Sequence, residues 1–358
     1  MHIHHDDLTS LAKLKTWFLS QQRDLPWRNH PIPYAVWISE VMLQQTQVAV
    51  VIPYFERWMR RFPSILDLAG ASIEEVLKEW EGLGYYARAR NLHAGARYVV
   101  DHYQGELPSS AEKLKKIKGL GPYTIGAILN FAFHQRIPAV DGNVLRVLAR
   151  YYGIADDICK PKAIKQIYSL TETLLPEKEP WVISEALIEL GATICGRQPK
   201  CVQCPLNKQC QAHLKGLTDV LPFKAPRMPT TVLHRSVAII HNGKEILISR
   251  GVKGKVMQDL YEFPYFEKTT TASLHEQIKE RFEIDVQQQQ VLPEVKHSFT
   301  RYRAHLFPCL FKTDTRKNIE GHEWASFQLL EQYPFSSGHR RIVNSLKFNL
   351  YGALKEPH

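Results

Sequence analysis

Cys195, Cys201, Cys204 and Cys210 fall within sixteen residues in the spacing C-x5-C-x2-C-x5-C, and the 358-residue chain has only two other cysteines. Arg197, Lys200 and Lys208 are interleaved with them, and no secretory apolar segment opens the chain. The four therefore read as thiolate metal ligands rather than as disulfide partners. Zinc and an iron–sulfur cluster both accept four thiolates. Zinc sites usually pair two separated C-x2-C knuckles, whereas one C-x2-C flanked by longer spacers stands nearer the iron–sulfur patterns. A [4Fe-4S] cluster is expected, with zinc as the alternative. Cys159 and Cys309 read as ordinary buried or part-buried thiols.

A chain of this length exceeds one ordinary core and predicts two or three domains. Lys plus Arg number 46 against 36 Asp plus Glu, a formal net charge of +10, with sixteen His besides. That balance favours a polyanionic partner, nucleic acid first. The apolar stretches, such as Ala35 to Leu43, are interrupted by Ser39 and Glu40 and are too short to cross a bilayer. A soluble cytoplasmic protein without a membrane partner is expected.

From Leu8 to about residue 214 the apolar residues recur at helical spacing. Helices are predicted near 8–22, 35–50, 52–61, 72–79, 86–103, 110–116, 122–134, 143–152, 160–175 and 181–193. LPFKAPRMPTT, residues 221–231, carries three prolines and reads as an extended linker. Beyond it Val232 to Ile240 is rich in β-formers, 241–244 is a turn, 245–249 returns, and 294–311 is strand-like. The expected layout is an all-α domain over 1–220, a linker over 221–231 and an α+β domain over 232–358.

IKGLGPYTIGA, residues 117–127, sets Gly119 and Gly121 around one apolar residue, with Pro122 opening the next helix. Together with Lys113, Lys115, Lys116 and Lys118 this predicts a helix-hairpin-helix over 113–127, whose backbone amides meet phosphate without reading sequence. A plain structural turn is the other reading of a bare G-x-G.

The hairpin, an Asp in PAVDGNV and four cysteines closing the helical region resemble the endonuclease III superfamily of DNA glycosylases. Within it, SEVMLQQTQV at 39–48, GLGYYARARNL at 82–92 and GPYTIGA at 121–127 are similar to the MutY family of adenine DNA glycosylases. That resemblance covers nearly the whole chain and implies a helix-hairpin-helix glycosylase domain with a cluster loop at 195–210, followed by a Nudix-like lesion-recognition domain. The partner it implies is double-stranded DNA with an adenine mispair; a monomer is the default expectation.

Breaking a purine N-glycosidic bond needs protons on the base and negative charge beside the developing sugar cation, which two carboxyl groups in unlike surroundings supply. Glu40 is the only charged residue between Tyr34 and Glu56, and desolvation in AVWISEVML favours its acid form. A helix-surface Glu is the plain alternative. The resemblance implies that Glu40 is the general acid, donating to N7 of the flipped adenine. Asp141 reads as the N-cap of the helix that follows, where amides and the helix dipole hold a carboxylate ionised; the resemblance implies that it is also the catalytic aspartate, with Asn143 positioning the site. Tyr123 stands where the lyase branch of the superfamily carries its Schiff-base Lys, which implies a monofunctional enzyme. By the same resemblance Gln45 and Thr46 fill the gap left by the flipped base, Leu83 and Tyr85 penetrate the stack beside the opposite base, and Arg28 and Glu185 line the adenine pocket. One of Tyr85 and Tyr86 is expected to pack inward.

The second domain lacks the acidic series of a Nudix hydrolase, having Glu276, Gln277, Glu280 and Arg281 in that stretch, and hydrolase activity is not expected. His297, Phe299, Arg301, Arg303 and His305 alternate with period two and are predicted to share one face. Phe299-Thr300-Arg301 stands where the family carries a Phe-Ser-His loop that senses 8-oxoguanine, so the family His is replaced. The first cysteine spacer has five residues where the family commonly has six. The expected activity is excision of adenine opposite 8-oxoguanine or guanine. Its rivals are a thymine-mismatch or oxidised-pyrimidine glycosylase and a catalytically silent DNA-damage binding protein.

Overall fold

The computed structural model describes residues 5–29, 31–226, 229–252, 254, 257–267, 273–299 and 301–353. It divides into two compact units. The first takes residues up to 70 and 91–227; the second takes 71–90 and 228–358. The helical part of the chain thus does not fall wholly in the first unit, since the segment 71–90 packs with the second.

The first unit is built from helices. Its central core brings Leu14 and Phe18 of the helix His5–Gln21 against Val144, Val147 and Leu148 of Gly142–Tyr152, and against Ile183, Leu187 and Leu190 of Pro180–Thr193. Gly142–Tyr152 is strongly amphipathic in sequence and well terminated. Asp141 caps its start, and Gly153, at φ 67°, closes its end in the left-handed conformation that suits glycine. Gly191 lets this helix meet its neighbour: a Cβ placed there would lie 2.5 Å from Cβ of Asn143.

One helix was expected over 35–50. The chain instead forms Pro33–Leu43 and Val48–Arg61, and Gln45 between them has φ 60°. The polar run Gln44-Gln45-Thr46-Gln47 offers no apolar stripe to bury, so the helix stops. The next one starts early enough to carry Pro53 inside it. Past the hairpin, Pro122–Ala127 runs on as a π-helical turn, Ile128–Ala132, a form that interrupts helices most often at functional positions. The first part of the proline-rich 221–231 stretch is anchored to this unit: Leu221 is buried, and the carbonyl of Phe223 accepts from the amide of Ile158.

The second unit holds a mixed sheet of β1 (Thr231–His241), β2 (Glu245–Arg250), β3 (Tyr261–Glu262), β4 (Tyr265–Glu267), β5 (Gln287–Val291), β6 (Val295–Phe299), β7 (Tyr302–Lys312) and β8 (His322–Ser326). Its main path runs β3-β2-β1-β7-β5, with β1 and β7 parallel over their full length. Both faces of β1 are covered. Val237 and Ile239 pack with Ile342 and Val343 of the helix Ser337–Ala353, while Ala238 and Ile240 pack with Leu274, Ile278 and Phe282 of Leu274–Phe282. Burial on both faces explains the unbroken apolar run of this strand.

The expected one-sided array at 297–305 is not formed. The chain reverses after Phe299, and β6 pairs antiparallel with β7 so that His297 faces Ala304 and Ser298 faces Arg303. Residues directly opposite share a face, so His297 and Phe299 point one way and Arg303 and His305 the other. The turn resets the period-two count that a single strand would keep.

Gly191→Ala is expected to lower stability by about 1–3 kcal/mol, the usual cost of forcing extra volume into a packed contact. A urea titration checks this, with a shifted midpoint and an unchanged slope expected.

Candidate active site

The first unit contains a cavity of about 1150 Å³. Arg28, Glu40, Gln45, Thr46, Gly119, Gly121, Tyr123, Asp141, Asn143 and Glu185 all line it. Five stretches of chain supply these residues: the short helix Pro26–Asn29, the broken helix pair around 40–48, the hairpin, the start of Gly142–Tyr152 and the middle of Pro180–Thr193.

Glu40 sits in a helix whose residues 34–42 are all buried, and its own exposure is 7%. The Tyr123 hydroxyl donates to Glu40 Oε2. Burial pushes the Glu40 carboxyl up to about 7, against the opposing effect of the Tyr123 bond. Asp141 and Glu185 add like-charge repulsion, and Arg28 pulls the other way.

Asp141 is capped far more fully. Its Oδ1 accepts from the amides of Asn143 and Val144, both at 2.8 Å, and its Oδ2 accepts from Asn143 Nδ2 at 2.6 Å. The N-cap bonds expected from sequence are present, but they do not alone set its charge. Burial raises the Asp141 carboxyl above its ordinary range, and the three bonds together with Arg146 work against that rise. Two carboxyl groups thus share one cavity with unlike donors, one facing a single hydroxyl and the other three N–H groups.

Arg28 Nε stands 3.5 Å from Glu185 Oε1, and its Nη2 lies 2.9 Å from Glu189 Oε2. Glu189 also receives Arg23 Nε at 2.6 Å. Burial raises the Glu185 carboxyl, whereas two arginines hold Glu189 low. Glu189 and Arg23 escaped the sequence reading. The signal that marked Glu40, a charge inside an apolar helical run, is equally present for Glu189 in ISEALIELG. Arg146 escaped it too: its Nη2 donates to Asn143 Oδ1 at 2.8 Å and its Nε to the Cys195 carbonyl at 2.7 Å.

At the hairpin, Gly119 has φ 89°, and a Cβ there would meet Cβ of Asn91 at 2.6 Å, so glycine is required. Gly121 has φ −87° and caps the helix opened by Pro122. Lys113, Lys115, Lys116 and Lys118 are exposed around the turn.

In the second unit Tyr86 is buried and Tyr85 is 48% exposed. Leu83, read as a partner of Tyr85 in penetrating the stack, is only 6% exposed, so of that pair Tyr85 alone offers its side chain outward. Phe299 ends β6, and exposed Arg301 donates to the Tyr302 hydroxyl through Nε and Nη2. Thr300 lies outside the described residues.

Cys195, Cys201, Cys204 and Cys210 line one small cavity with Arg150, and all four are free thiols. Buried Arg150 donates to Cys195 Sγ at 3.4 Å and to the carbonyls of Gly196, Arg197, Thr218 and Leu221. Among the described residues no three His, Cys, Asp or Glu groups converge closely enough to hold one metal ion. Four soft donors spread around one cavity beside a buried cation suit an anionic thiolate-bound group larger than a single ion. Cys309 is buried as expected, but Cys159 is exposed. Among the described residues no helix is long and apolar enough to cross a membrane.

Residues 38–172 match the HhH-GPD superfamily of base excision DNA repair proteins, and residues 236–345 match the NUDIX domain. A thermostable thymine-DNA glycosylase structure is similar at TM-score 0.54 and 27% identity, covering 59% of this chain and 97% of that one. An endonuclease III–DNA covalent intermediate shares the fold at TM-score 0.51 and 24% identity, covering 60% of this chain and 100% of that one. Fold and cavity together define a helix-hairpin-helix base excision glycosylase scaffold with a Nudix-like C-terminal domain.

Adenine DNA glycosylase of Buchnera aphidicola subsp. Acyrthosiphon pisum is 32% identical over 335 residues, covering 92% of this chain and 95% of its own, and this chain belongs to the adenine DNA glycosylase family. The Mus musculus adenine DNA glycosylase is 45% identical over 230 residues. That match covers 60% of this chain but only 45% of the mouse protein, so this chain matches less than half of that relative's length.

The raised Glu40 carboxyl makes stability depend on pH. Its contribution is fully present below the unfolded value of 4.5 and is lost as pH rises through about 7. Glu40→Gln removes that loss and keeps an acceptor for Tyr123. It is expected to be more stable than the parent at pH 8 by up to about 3 kcal/mol, and near parity at pH 4. Denaturant unfolding at the two pH values measures the difference.

Proposed function

We propose that this chain is a monofunctional adenine DNA glycosylase of base excision repair, acting on adenine opposite 8-oxoguanine or guanine in double-stranded DNA. The observation that carries this reading is a carboxyl group raised to about 7, held by the Tyr123 hydroxyl, in one cavity with the amide-capped Asp141. Glu40 delivers its proton to N7 of the extruded adenine, which leaves with the electron pair of the broken C1′–N9 bond. Asp141 in its ionised form faces the sugar cation that remains and orients the water that adds to C1′; the proton released by that water returns to a carboxylate of the site. Asn143 fixes Asp141 through its backbone and side-chain N–H groups. Tyr123 provides no amine for a Schiff base, so the phosphodiester chain stays intact.

Arg28 and Glu185 bind the base edge, and Gln45 and Thr46 fill the vacated stack from the break between two helices. Gly119 and Gly121 bring the hairpin backbone to phosphate, with the four surrounding lysines adding salt-sensitive attraction. Tyr85 acts beside the opposite base, on a turn that buried Leu83 helps to seat, and Phe299, Thr300 and Arg301 sense its oxidation. The working division is a catalytic domain over 1–220, a linker over 221–231 and a lesion-recognition domain over 232–358, acting as a cytoplasmic monomer.

Cys195, Cys201, Cys204 and Cys210 hold a [4Fe-4S] cluster. A zinc ion with Zn–S bonds of about 2.3 Å needs tight convergence of its ligands, whereas a cubane spreads the same thiolates around a larger body. When bound, the cluster shapes the 195–210 loop for DNA contact and takes no part in glycosidic chemistry. Purified protein is expected to contain iron and inorganic sulfide in equal amounts and no stoichiometric zinc, and Cys204→Ser is expected to lose both.

Single-turnover assays on duplexes with adenine opposite 8-oxoguanine, adenine opposite guanine, and thymine opposite guanine test the function. Strand breaks are expected only after alkali and only at adenine, with the rate falling as pH rises through about 7. Glu40→Gln is expected to slow the reaction by about 100- to 10,000-fold, the range of general acid catalysis. Thymine loss alone would transfer the scaffold to the mismatch branch, and tight binding without any base loss would make the protein a damage binder.

A further inference from the structure

The turn that carries Tyr85 is strained. Gly82, Gly84 and Tyr85 have φ of 106°, 70° and 48°, three left-handed residues in four, and the last has a side chain. Such a turn persists only when its surroundings over-determine it. Part of the restraint is local: Trp80 Nε1 donates to the Gly84 carbonyl at 3.0 Å, and Arg88 Nη2 donates to the carbonyls of Leu83 and Gly84.

Lys78 Nζ also holds Glu81 Oε2 at 2.7 Å, and a further restraint comes from far along the chain. Glu81 Oε1 accepts from Arg340 Nε at 2.6 Å and from the Phe335 amide at 3.1 Å, and both charged side chains are mostly buried. Arg340 is itself fixed, donating to the carbonyls of Leu330 and Tyr333. Phe335 is tied to the sheet through a parallel bridge to Tyr261, and its carbonyl accepts from the buried Tyr86 hydroxyl. The acceptor of this clamp therefore immediately precedes the first left-handed glycine, and its donors belong to the end of the Nudix-like fold.

We propose that Glu81 and Arg340 are positioning residues through which the Nudix-like domain sets the turn 82–85, and with it the outward Tyr85, for the base opposite the target adenine. This rests on the reading of Tyr85 as a DNA-contacting residue. The clamp acts on affinity for the mispaired duplex and leaves the bond-breaking step unchanged.

The test uses the full chain as the parent, Glu81→Gln, Arg340→Met, the double variant and Tyr85→Ser. Amide exchange is followed by mass spectrometry without DNA. Binding and single-turnover excision are then measured on a duplex with adenine opposite 8-oxoguanine. Both clamp variants are expected to speed exchange selectively at 82–86 and to weaken binding about tenfold, with the rate at saturation within about twofold of the parent and the double variant no worse than either single change. Wild-type exchange at 82–86, or exchange that rises evenly across the second domain with a lower melting temperature and unchanged affinity, would overturn the proposal. If Tyr85→Ser binds like the parent, the role of the turn falls and the proposal with it. Absence of adenine excision by the parent would instead remove the glycosylase reading.

Discussion

A carboxyl group placed inside an apolar helix must be satisfied by something other than water. Around Glu40 that need is met by one hydroxyl, from Tyr123, delivered by the helix that follows the hairpin. This contact joins the hairpin to the broken helix pair at a carboxyl that its own apolar helix largely buries. It also explains why tyrosine suits the position: its ring fills the apolar side while its O–H reaches the carboxyl. An amine in its place would pair with the buried carboxylate, favouring the ionised form and working against the acid role proposed for Glu40.

The helix Gly142–Tyr152 carries the second half of the arrangement. Asp141 caps its start, Arg146 on its next turn reaches Asn143 and the Cys195 carbonyl, and Arg150 one turn further enters the cysteine loop. Asn143, Arg146 and Arg150, spaced by three and four residues, thus run from the cavity to the thiols along a helix whose opposite stripe is core. The close approach allowed by Gly191 keeps Asn143 against the neighbouring helix.

Much of this was legible locally. Asp141 before Gly142-Asn143-Val144 announces a cap, Glu40 in AVWISEVML announces a desolvated acid, and the change from helical to alternating spacing marks the start of the second fold. Features that depend on partners far apart in sequence were not legible. Glu189 finds Arg23 and Arg28 more than 160 residues away, and nothing near any of them announces the pairing. Gln44 to Gln47 ended a helix that spacing alone would have continued, because four polar residues had no core to face. At 297–305 the alternation was present but the reversal after Phe299 was not visible in it, and one turn exchanged the two faces. Arg150 looked like an ordinary basic residue, since only the folded loop reveals five acceptors around its guanidinium.

That guanidinium has five N–H groups, and each has a partner within the cysteine region or the stretch just beyond it. Its acceptors come from both ends of the segment between Cys195 and Leu221. In polymer terms a single side chain closes a loop, bearing the entropic cost that many small proteins meet with a disulfide. Closing it mainly with nitrogen donors on carbonyl oxygens, with one long contact to Cys195 Sγ, leaves the four sulfurs of the segment covalently uncommitted, so the ring is shut by one chemistry while its thiols remain available for another.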